Sequence, residues 1–262
     1  DSIVGPIIRR FHGPMMYLVS LLVGIIVFLP IGLFVDEVVY LLMVLFIAII
    51  PVAHANYLAR RDFKTTKQLR ENAGQSQPDL LQTAFQNIHH HQQPVRKSAF
   101  EVLHQSFQDS PGAAIKTLSV EPKALSHSLL NCLDYDDLPT VQGSLVCLKW
   151  FSRDFAALLA PDSKRFVKYV QSDHSEIQVQ ATIILGNIGA SDSEQRDQYA
   201  TALTPSVKDL DAEVRAAAAR SLENLPCERS IKMLKHLRED SDPEVRQYAN
   251  TALQNLKSSL EQ

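Results

Sequence analysis

Two long uncharged stretches lie near the beginning of the chain, and a periodic pattern of apolar and polar residues follows them. Residues 15–35 and 38–59 hold 21 and 22 residues without Asp, Glu, Lys or Arg, and only Asp36 and Glu37 lie between them. At a rise of about 1.5 Å per residue, each stretch is long enough to cross a hydrocarbon layer of about 30 Å. The pattern therefore predicts two antiparallel transmembrane helices, a hairpin within residues 1–60 that is joined by a tight acidic turn.

Basic residues on both sides of this hairpin predict its orientation. Arg9 and Arg10 precede the first span, and Arg60, Arg61 and Lys64 follow the second. Because basic flanking residues tend to stay on the cytoplasmic side, we expect both termini and everything after the hairpin to face the cytoplasm. A bacterial inner membrane is the favoured location, and an organelle membrane is the alternative.

A pair of small residues in the first span, and the segment after the second span, indicate what the hairpin contacts and how it is joined to the rest of the chain. Ser20 and Gly24 form a small-xxx-small spacing, which lets another helix approach closely, either the second span or a separate membrane subunit. The basic sequence RRDFKTTKQLR covers residues 60–70, and ENAGQSQP covers residues 71–78. Residues 61–78 are therefore typical of a juxtamembrane stalk and a short flexible linker. A second domain, residues 79–262, is therefore expected close to the membrane.

The dominant feature of this second domain is an internal repeat. Asp242–Leu253 reads DPEVRQYANTAL, and Asp211–Leu222, which begins 31 residues earlier, reads DAEVRAAAARSL. Weaker copies with the same spacing of apolar, small and leucine positions begin at Val95 and Ile177, and a degraded copy begins at Thr140. The pattern predicts five units of about 30 to 45 residues, a length typical of two helices and their turns.

The motif has a physical interpretation as the second helix of each unit. Its first Asp accepts hydrogen bonds from free backbone N–H groups, and the positions i, i+4 and i+8 share one helix face. The residue directly after the first apolar position of the motif lies on a different side of the helix, and we expect its side chain to reach the acidic start of a neighbouring unit. This residue is Arg96, Arg215 or Arg246 in three of the units. We predict first helices at 80–89, 122–133, 161–171, 194–207 and 227–238, and second helices that begin near 94, 138, 175, 211 and 242.

The motif D-x-E-V-R-x-x-A-x-x-x-L resembles the second helix of HEAT repeats, in particular the short HEAT-like type also seen in phycobilisome lyases. The resemblance covers residues 79–262 and is closest in the last two units. It implies an all-α fold, in which the transmembrane hairpin is followed by an α-solenoid of about five helix pairs that binds proteins on its concave surface. No bilin-binding cysteine motif is evident, so lyase activity is not carried over.

Composition and the absence of sequence motifs exclude several classes of function. A net charge of −3 lacks the basic excess that nucleic-acid binding requires. Cys132, Cys147 and Cys227 are far apart and form no CxxC pair, so neither a zinc knuckle nor a disulfide framework is indicated. No GxSxG, HExxH or P-loop motif occurs, and a thin solenoid seldom encloses a pocket. We expect no enzymatic activity, no cofactor and no metal.

Three clusters are candidates for a specific role, and each has a plainer alternative. Residues 89–91 are all His, with His104 further on, but adjacent histidines do not share a helix face and no carboxylate or cysteine accompanies them, which favours a solvated turn. Asp134, Asp136 and Asp137 lack the Gly and Glu of a calcium loop, which favours a helix-capping turn. The third cluster fills the core or, where exposed, anchors a partner. Its members are Trp150, Phe151, Arg153 and Phe155.

These features predict a membrane-anchored scaffold or assembly subunit of a membrane-protein complex, which binds other, membrane-bound protein subunits through its solenoid. Two alternatives stay open: an accessory structural subunit of an energy-converting or transport complex held mainly by its hairpin, and a lyase-like or chaperone protein that acts on a cofactor-carrying partner. The residues expected to contact a partner are Trp150, Phe151, Arg153, Phe155, Arg96, Arg215 and Arg246.

Overall fold

A computed structural model describes residue 53, residues 56–69 and residues 78–260, with side chains up to residue 258. All regular elements in these stretches are helical, and one helix covers residues 56–69. Short 3₁₀ turns cover Cys132–Asp134 and Ala160–Asp162. From residue 78 onward the α-helices are α1 (Pro78–Asn87), α2 (Gln93–Asp109), α3 (Pro111–Leu118), α4 (Pro122–Asn131), α5 (Leu138–Leu159), α6 (Ser163–Tyr169), α7 (Ser175–Ser191), α8 (Arg196–Ala202), α9 (Thr204–Val207), α10 (Ala212–Glu223), α11 (Glu228–Leu237) and α12 (Pro243–Leu260).

Between residues 78 and 260 these helices form five consecutive units of a solenoid. Each unit is a first helix packed against a second one: α1 with α2, α4 with α5, α6 with α7, the broken helix α8 and α9 with α10, and α11 with α12. The second helices begin within one residue of the predicted positions, because Asp or Pro residues at their starts mark them in the sequence. The predicted repeat of helix pairs is confirmed.

The repeated apolar positions form the core, as their spacing predicts. Val214 and Leu222 of α10 are fully buried, and so is the small residue between them, Ala218. Small residues let consecutive second helices approach closely. One close approach is at Gly186 of α7, where a Cβ atom would lie 2.6 Å from the Cβ of Ser221, so only glycine fits without movement of α10.

The two helix layers are packed to different degrees. The second helices α2, α5, α7, α10 and α12 lie side by side along the whole array, each in extensive contact with the next. Several neighbouring first helices, such as α4 and α6 or α6 and α8, make little or no direct contact. The second helices therefore form one continuous layer, and its exposed face is called the inner surface below.

Two irregular segments lengthen the early units. The last part of α5 lies beyond a kink at Phe155, whose φ of −130° and ψ of 30° are not helical. Between α2 and α4 the chain forms the additional helix α3, which packs on α1 and α2. Pro111 is the first residue of α3, and the side chain of the preceding residue, Ser110, accepts a hydrogen bond from the Ala113 N–H.

Most predictions for the N-terminal part fall on residues that the structure does not describe. The spans 15–35 and 38–59 lie outside the described residues, except for residues 53 and 56–59 of the second, which are helical. The Ser20 and Gly24 spacing and most of the predicted linker also lie outside them. Within the described part of the chain, no helix has both the length and the apolar character required to cross a membrane.

Candidate functional site

Four side chains occupy equivalent positions in the units of the solenoid, and we call them the ladder residues: Arg96, Gln178, Arg215 and Arg246. Arg215 makes four hydrogen bonds, two of them to the next unit. Its Nη1 donates to the carbonyl oxygens of Asp209 and Leu210, both at 2.9 Å, within its own unit. Its Nε and Nη2 donate to the two carboxylate oxygens of Asp240 in the next unit, both at 2.8 Å. The guanidinium group thereby holds two consecutive turns in a defined register.

Arg96 repeats this arrangement at the other end of the array. Its Nη1 donates to the carbonyl oxygens of His90, at 2.6 Å, and His91, at 3.0 Å. Its Nη2 donates to Asp137 at 2.5 Å, and its Nε donates to the hydroxyl of Thr140 at 2.9 Å. The prediction that these cations reach the acidic start of the neighbouring unit is therefore confirmed at both positions.

The remaining ladder positions vary the pattern. The Gln178 amide donates to Asp209 of the next unit at 2.9 Å. Arg246 donates to the carbonyl oxygens of Asp240, at 2.7 Å, and Ser241, at 2.8 Å, within its own unit. In the second unit the position is occupied by the buried Val141, so the ladder is interrupted there.

Charge pairing keeps the ladder carboxylates ionised. The hydrogen bond from Arg215 lowers the pKa of Asp240 below its ordinary value, against the opposing effect of burial. Burial raises the pKa of Asp137, but hydrogen bonds from Thr140 and Arg96 outweigh it, and the pKa is lowered overall. The Arg96 and Arg215 side chains are only 6% and 13% exposed, so they stabilise the array rather than offering surface to a partner.

The aromatic cluster predicted from the sequence is divided between surface and core. Trp150 is half-buried, with Lys149 Nζ 4.4 Å and Arg153 Cζ 5.4 Å from its ring centroid. Phe151 is fully buried and stacks on the half-buried Phe155, with ring centroids 5.0 Å apart. Phe151 therefore has no exposed surface for a partner, whereas Trp150 and the exposed Arg153 do.

A groove lies between the last two second helices. It has a volume of about 440 Å³ and is lined by Ala212, Glu213, Ala216 and Arg220 on the α10 side and by Asp242 and Glu244 on the α12 side. At one end of it, Arg220 Cζ lies 4.7 Å from the ring centroid of Tyr248. The i, i+7 spacing of Glu213 and Arg220, and the i, i+4 spacing of Glu244 and Tyr248, are the sequence signals that could have located this groove.

The aromatic site at Trp150 and the one at Tyr248 lie on second helices of the array, and the cations beside them are linked electrostatically. Burial lowers the pKa of Lys149, and the charge of Arg220, two units further along, lowers it further. Their charges therefore interact across the intervening helix α7. We call these residues the aromatic–cationic patch: Lys149, Trp150, Arg153, Arg220 and Tyr248.

A second set of charges, of opposite sign, marks the beginnings of the second helices. Glu176, Glu213 and Glu244 are exposed and precede the buried apolar motif residue of α7, α10 and α12. Because equivalent positions of stacked units lie in a row, these carboxylates form an acidic stripe beside the aromatic–cationic patch. The inner surface therefore presents both signs of charge in a fixed arrangement.

The structure places the histidine and aspartate clusters in turns. His89–His91 lie between α1 and α2, and the fold brings to them the two groups that the sequence lacks nearby. Cys132 Sγ lies 3.6 Å from His89 Nδ1, and the carboxylate of Asp62 faces the other two rings. Asp137 accepts a hydrogen bond from the Thr140 N–H at the start of α5, which confirms the predicted capping turn.

Comparisons with known proteins agree with this architecture. Residues 200–261 match the family model described as HEAT repeats, which covers the last two units. No curated protein sequence is significantly similar to this chain.

Several solved structures share the fold at low sequence identity. One engineered protein has a TM-score of 0.59 and 22% identity, over 74% of this chain and 89% of that one. A designed armadillo repeat protein in complex with peptide (KR)4 has a TM-score of 0.56 and 17% identity, over 75% and 90% of the two chains. The armadillo repeats only protein from Plasmodium falciparum has a TM-score of 0.52 and 13% identity, over 74% and 97%. The described chain is thus an α-solenoid of helical repeats.

Proposed function

We propose that this protein is a membrane-anchored binding scaffold that holds a partner protein on the inner surface of its solenoid. The observation that carries the proposal is the aromatic–cationic patch. Tryptophan, tyrosine and arginine contribute most to binding energy at protein interfaces, and the patch places all three on one surface. Helical-repeat solenoids are typical of binding proteins rather than enzymes, so we propose no catalytic step.

The charge arrangement suggests the chemistry of the partner. An acidic segment of the partner would face Lys149 and Arg220, while a basic segment would face the acidic stripe. The designed armadillo protein that was solved with peptide (KR)4 supports the general mode, in which a solenoid binds a peptide segment. Opposite charges in two defined places would fix the direction in which the partner lies.

Membrane anchoring is the second part of the proposal. It rests on the two uncharged stretches of the sequence and is consistent with the described helix over residues 56–69, where Tyr57 is 64% and Phe63 71% exposed beside three basic residues. Exposed aromatic and basic side chains suit the headgroup region of a bilayer. We propose a cytoplasmic solenoid at a bacterial inner membrane, where anchoring raises its effective concentration toward membrane-bound partners.

Site-specific crosslinking tests the inner surface. A photocrosslinking amino acid at Arg153 or at Glu213, in the full chain in native membranes, should capture the same partner protein. The same amino acid at Lys235, exposed on the first-helix layer, should not. Arg153→Glu should reduce co-purification of that partner by at least about 10-fold, because charge reversal at a central contact costs more than 1.4 kcal/mol. Lys235→Glu is the matched control.

The crosslinking experiment can also contradict the proposal. Adducts from Lys235 alone, together with unchanged co-purification of the Arg153→Glu variant, would exclude the inner surface. That result would favour the accessory-subunit alternative, in which the hairpin holds the partner.

Two membrane experiments test the anchor and its orientation. The chain should stay in the membrane fraction after alkaline carbonate extraction, since two spans hold it in the bilayer. In sealed inside-out vesicles, added protease should digest the solenoid. Release by carbonate would contradict the anchor, and protection of the solenoid in inside-out vesicles would contradict the orientation.

A further inference from the structure

One buried carboxylate lies between the helix over residues 56–69 and the first turn of the solenoid. Asp62 is 2% exposed. His90 Nε2 lies 3.3 Å from its Oδ1, and His91 Nε2 lies 3.4 Å from its Oδ2. One potential ligand atom from each of the three side chains lies within 4.8 Å of the other two. Three metal-binding side chains from two separate segments therefore converge on one point.

The contacts of Asp62 with the two histidines are longer than strong hydrogen bonds. Oδ2 of Asp62 is buried and has no hydrogen-bond partner among the described residues, an arrangement that folded proteins rarely leave uncompensated. Two ligand atoms that each lie about 2.0 to 2.1 Å from one tetrahedral zinc ion are about 3.3 to 3.4 Å apart. The distance from His90 Nε2 to Oδ1 has this length, and His91 Nε2 lies equally close to the other oxygen, Oδ2. To share an ion held by one of these oxygens, the exposed ring of His91 would turn toward it.

The chemistry of the ligand set is also suitable. Two imidazoles and one carboxylate suit Zn²⁺ and other late first-row divalent ions, while Ca²⁺ and Mg²⁺ prefer oxygen ligands alone. Three protein ligands leave a fourth position for water or for a ligand from a partner. Cys132, which lies beside His89, is not part of the cluster.

Two existing contacts would change when a metal binds. Arg61 lies 3.4 Å from Asp62 Oδ1, and its side chain, 53% exposed, is free to move into solvent. The Gln92 N–H donates to His90 Nδ1 at 3.2 Å, a long bond that is lost when Nδ1 takes the ring proton and Nε2 binds the metal.

We propose that Asp62, His90 and His91 bind one divalent late transition-metal ion, with Zn²⁺ as the best-suited ion. The ion would fasten the helix over residues 56–69 to the solenoid across the intervening residues 70–77. It would thereby set the position of the solenoid relative to the helix over residues 56–69 and to the part of the chain before it. This site is independent of the inner surface, so its test does not depend on the proposed function.

Metal titration of the full chain in mild detergent tests the site. After treatment with a chelator, Co²⁺ should give the visible absorption bands of a four-coordinate ion, saturating at one equivalent, and Zn²⁺ should displace it. Asp62→Asn and His91→Gln should each weaken binding by at least about 10-fold. His91 is partly exposed, so His91→Gln tests the ligand role without removing a buried carboxylate. The control is His127→Gln, which changes an exposed histidine of α4 and should bind as the unmodified chain does.

Hydrogen exchange tests whether the ion fastens the helix. Zn²⁺ should slow amide exchange in residues 56–69 by at least about 10-fold in the unmodified chain and leave it unchanged in Asp62→Asn. Binding that is absent, or that Asp62→Asn and His127→Gln affect equally, would overturn the site. Tight binding without slower exchange in this helix would overturn the fastening role.

Discussion

Replacement of Arg215 by methionine should destabilise the solenoid more than the same change at Arg246, which makes equivalent hydrogen bonds to two backbone carbonyls. Arg215 donates two hydrogen bonds to the carbonyl oxygens of Asp209 and Leu210 and two to the carboxylate of Asp240. The side chains of the ion pair are 13% and 10% exposed. Methionine keeps most of the aliphatic packing, so the change removes mainly the guanidinium group.

Arg246 provides a matched control because it makes the same two carbonyl bonds, to Asp240 and Ser241, and has no ion pair among the described residues. Loss of two such bonds costs about 1 kcal/mol each, so Arg246→Met should lower the free energy of unfolding by about 2 kcal/mol. Arg215→Met loses the equivalent bonds and also leaves Asp240 buried and unpaired. An acceptor that is 10% exposed and loses its partner costs about 1 to 3 kcal/mol. We therefore expect a total of about 4 kcal/mol, about 2 kcal/mol more than the control.

Urea unfolding of both variants, followed by far-UV circular dichroism, measures this difference. Hydrogen exchange should locate the loss of protection at the α10–α12 boundary, where the bridge lies. With Asp240→Asn in the same chain, Arg215→Met should cost less, because no unpaired charge is left. Equal destabilisation by Arg215→Met and Arg246→Met would refute the conclusion that the inter-unit ion pair holds the register.

Three further predictions concern packing, thiol reactivity and pH. Gly186→Ala should destabilise the chain by about 1 to 3 kcal/mol in urea unfolding, because its Cβ would overlap α10, whereas Gly112→Ala, with open space around it, should not destabilise it. Burial raises the pKa of the Cys132 thiol to about 12, so a maleimide should label the half-buried Cys227 well before Cys132, as mass spectrometry of peptides can show. The pKa of Asp240 is lowered, so its stabilising effect is present above the ordinary pKa of about 4 and is lost as the pH falls below it. The urea midpoint of Asp240→Asn should therefore fall less than that of the unmodified chain between about pH 5 and about pH 3.

Local sequence signals located the helices and the ladder. Asp and Pro at helix starts, together with apolar, small and leucine residues four positions apart, act within one helix, so they are readable without the fold. The same periodicity located Arg96 and Arg215 on the side of the helix that faces the next unit. The predicted contacts of Arg96 and Arg215 with the next unit are confirmed. They form because a stacked repeat places equivalent positions next to each other.

The inner surface was only partly predictable. The sequence drew attention to Trp150 and Arg153 through their unusual concentration of aromatic and charged groups, but it did not separate them from Phe151, which is fully buried. Adjacent residues on a helix point about 100° apart, so burial depends on how the helix is rotated against its neighbours. Arg220 and Tyr248 were missed because each is unremarkable on its own helix.

The sequence by itself determined the repeating unit, the helix boundaries and the cations that link one unit to the next, because each depends on contacts along one helix or between equivalent positions. Only the tertiary structure decided which groups from distant segments meet. The electrostatic effect of Arg220 on Lys149 depends on how the second helices stack, and the convergence of Asp62 with His90 and His91 requires a helix outside the repeats to pack on the first turn. Stacking and docking arise from the sum of many inter-helix contacts, and no single local pattern in the chain encodes them.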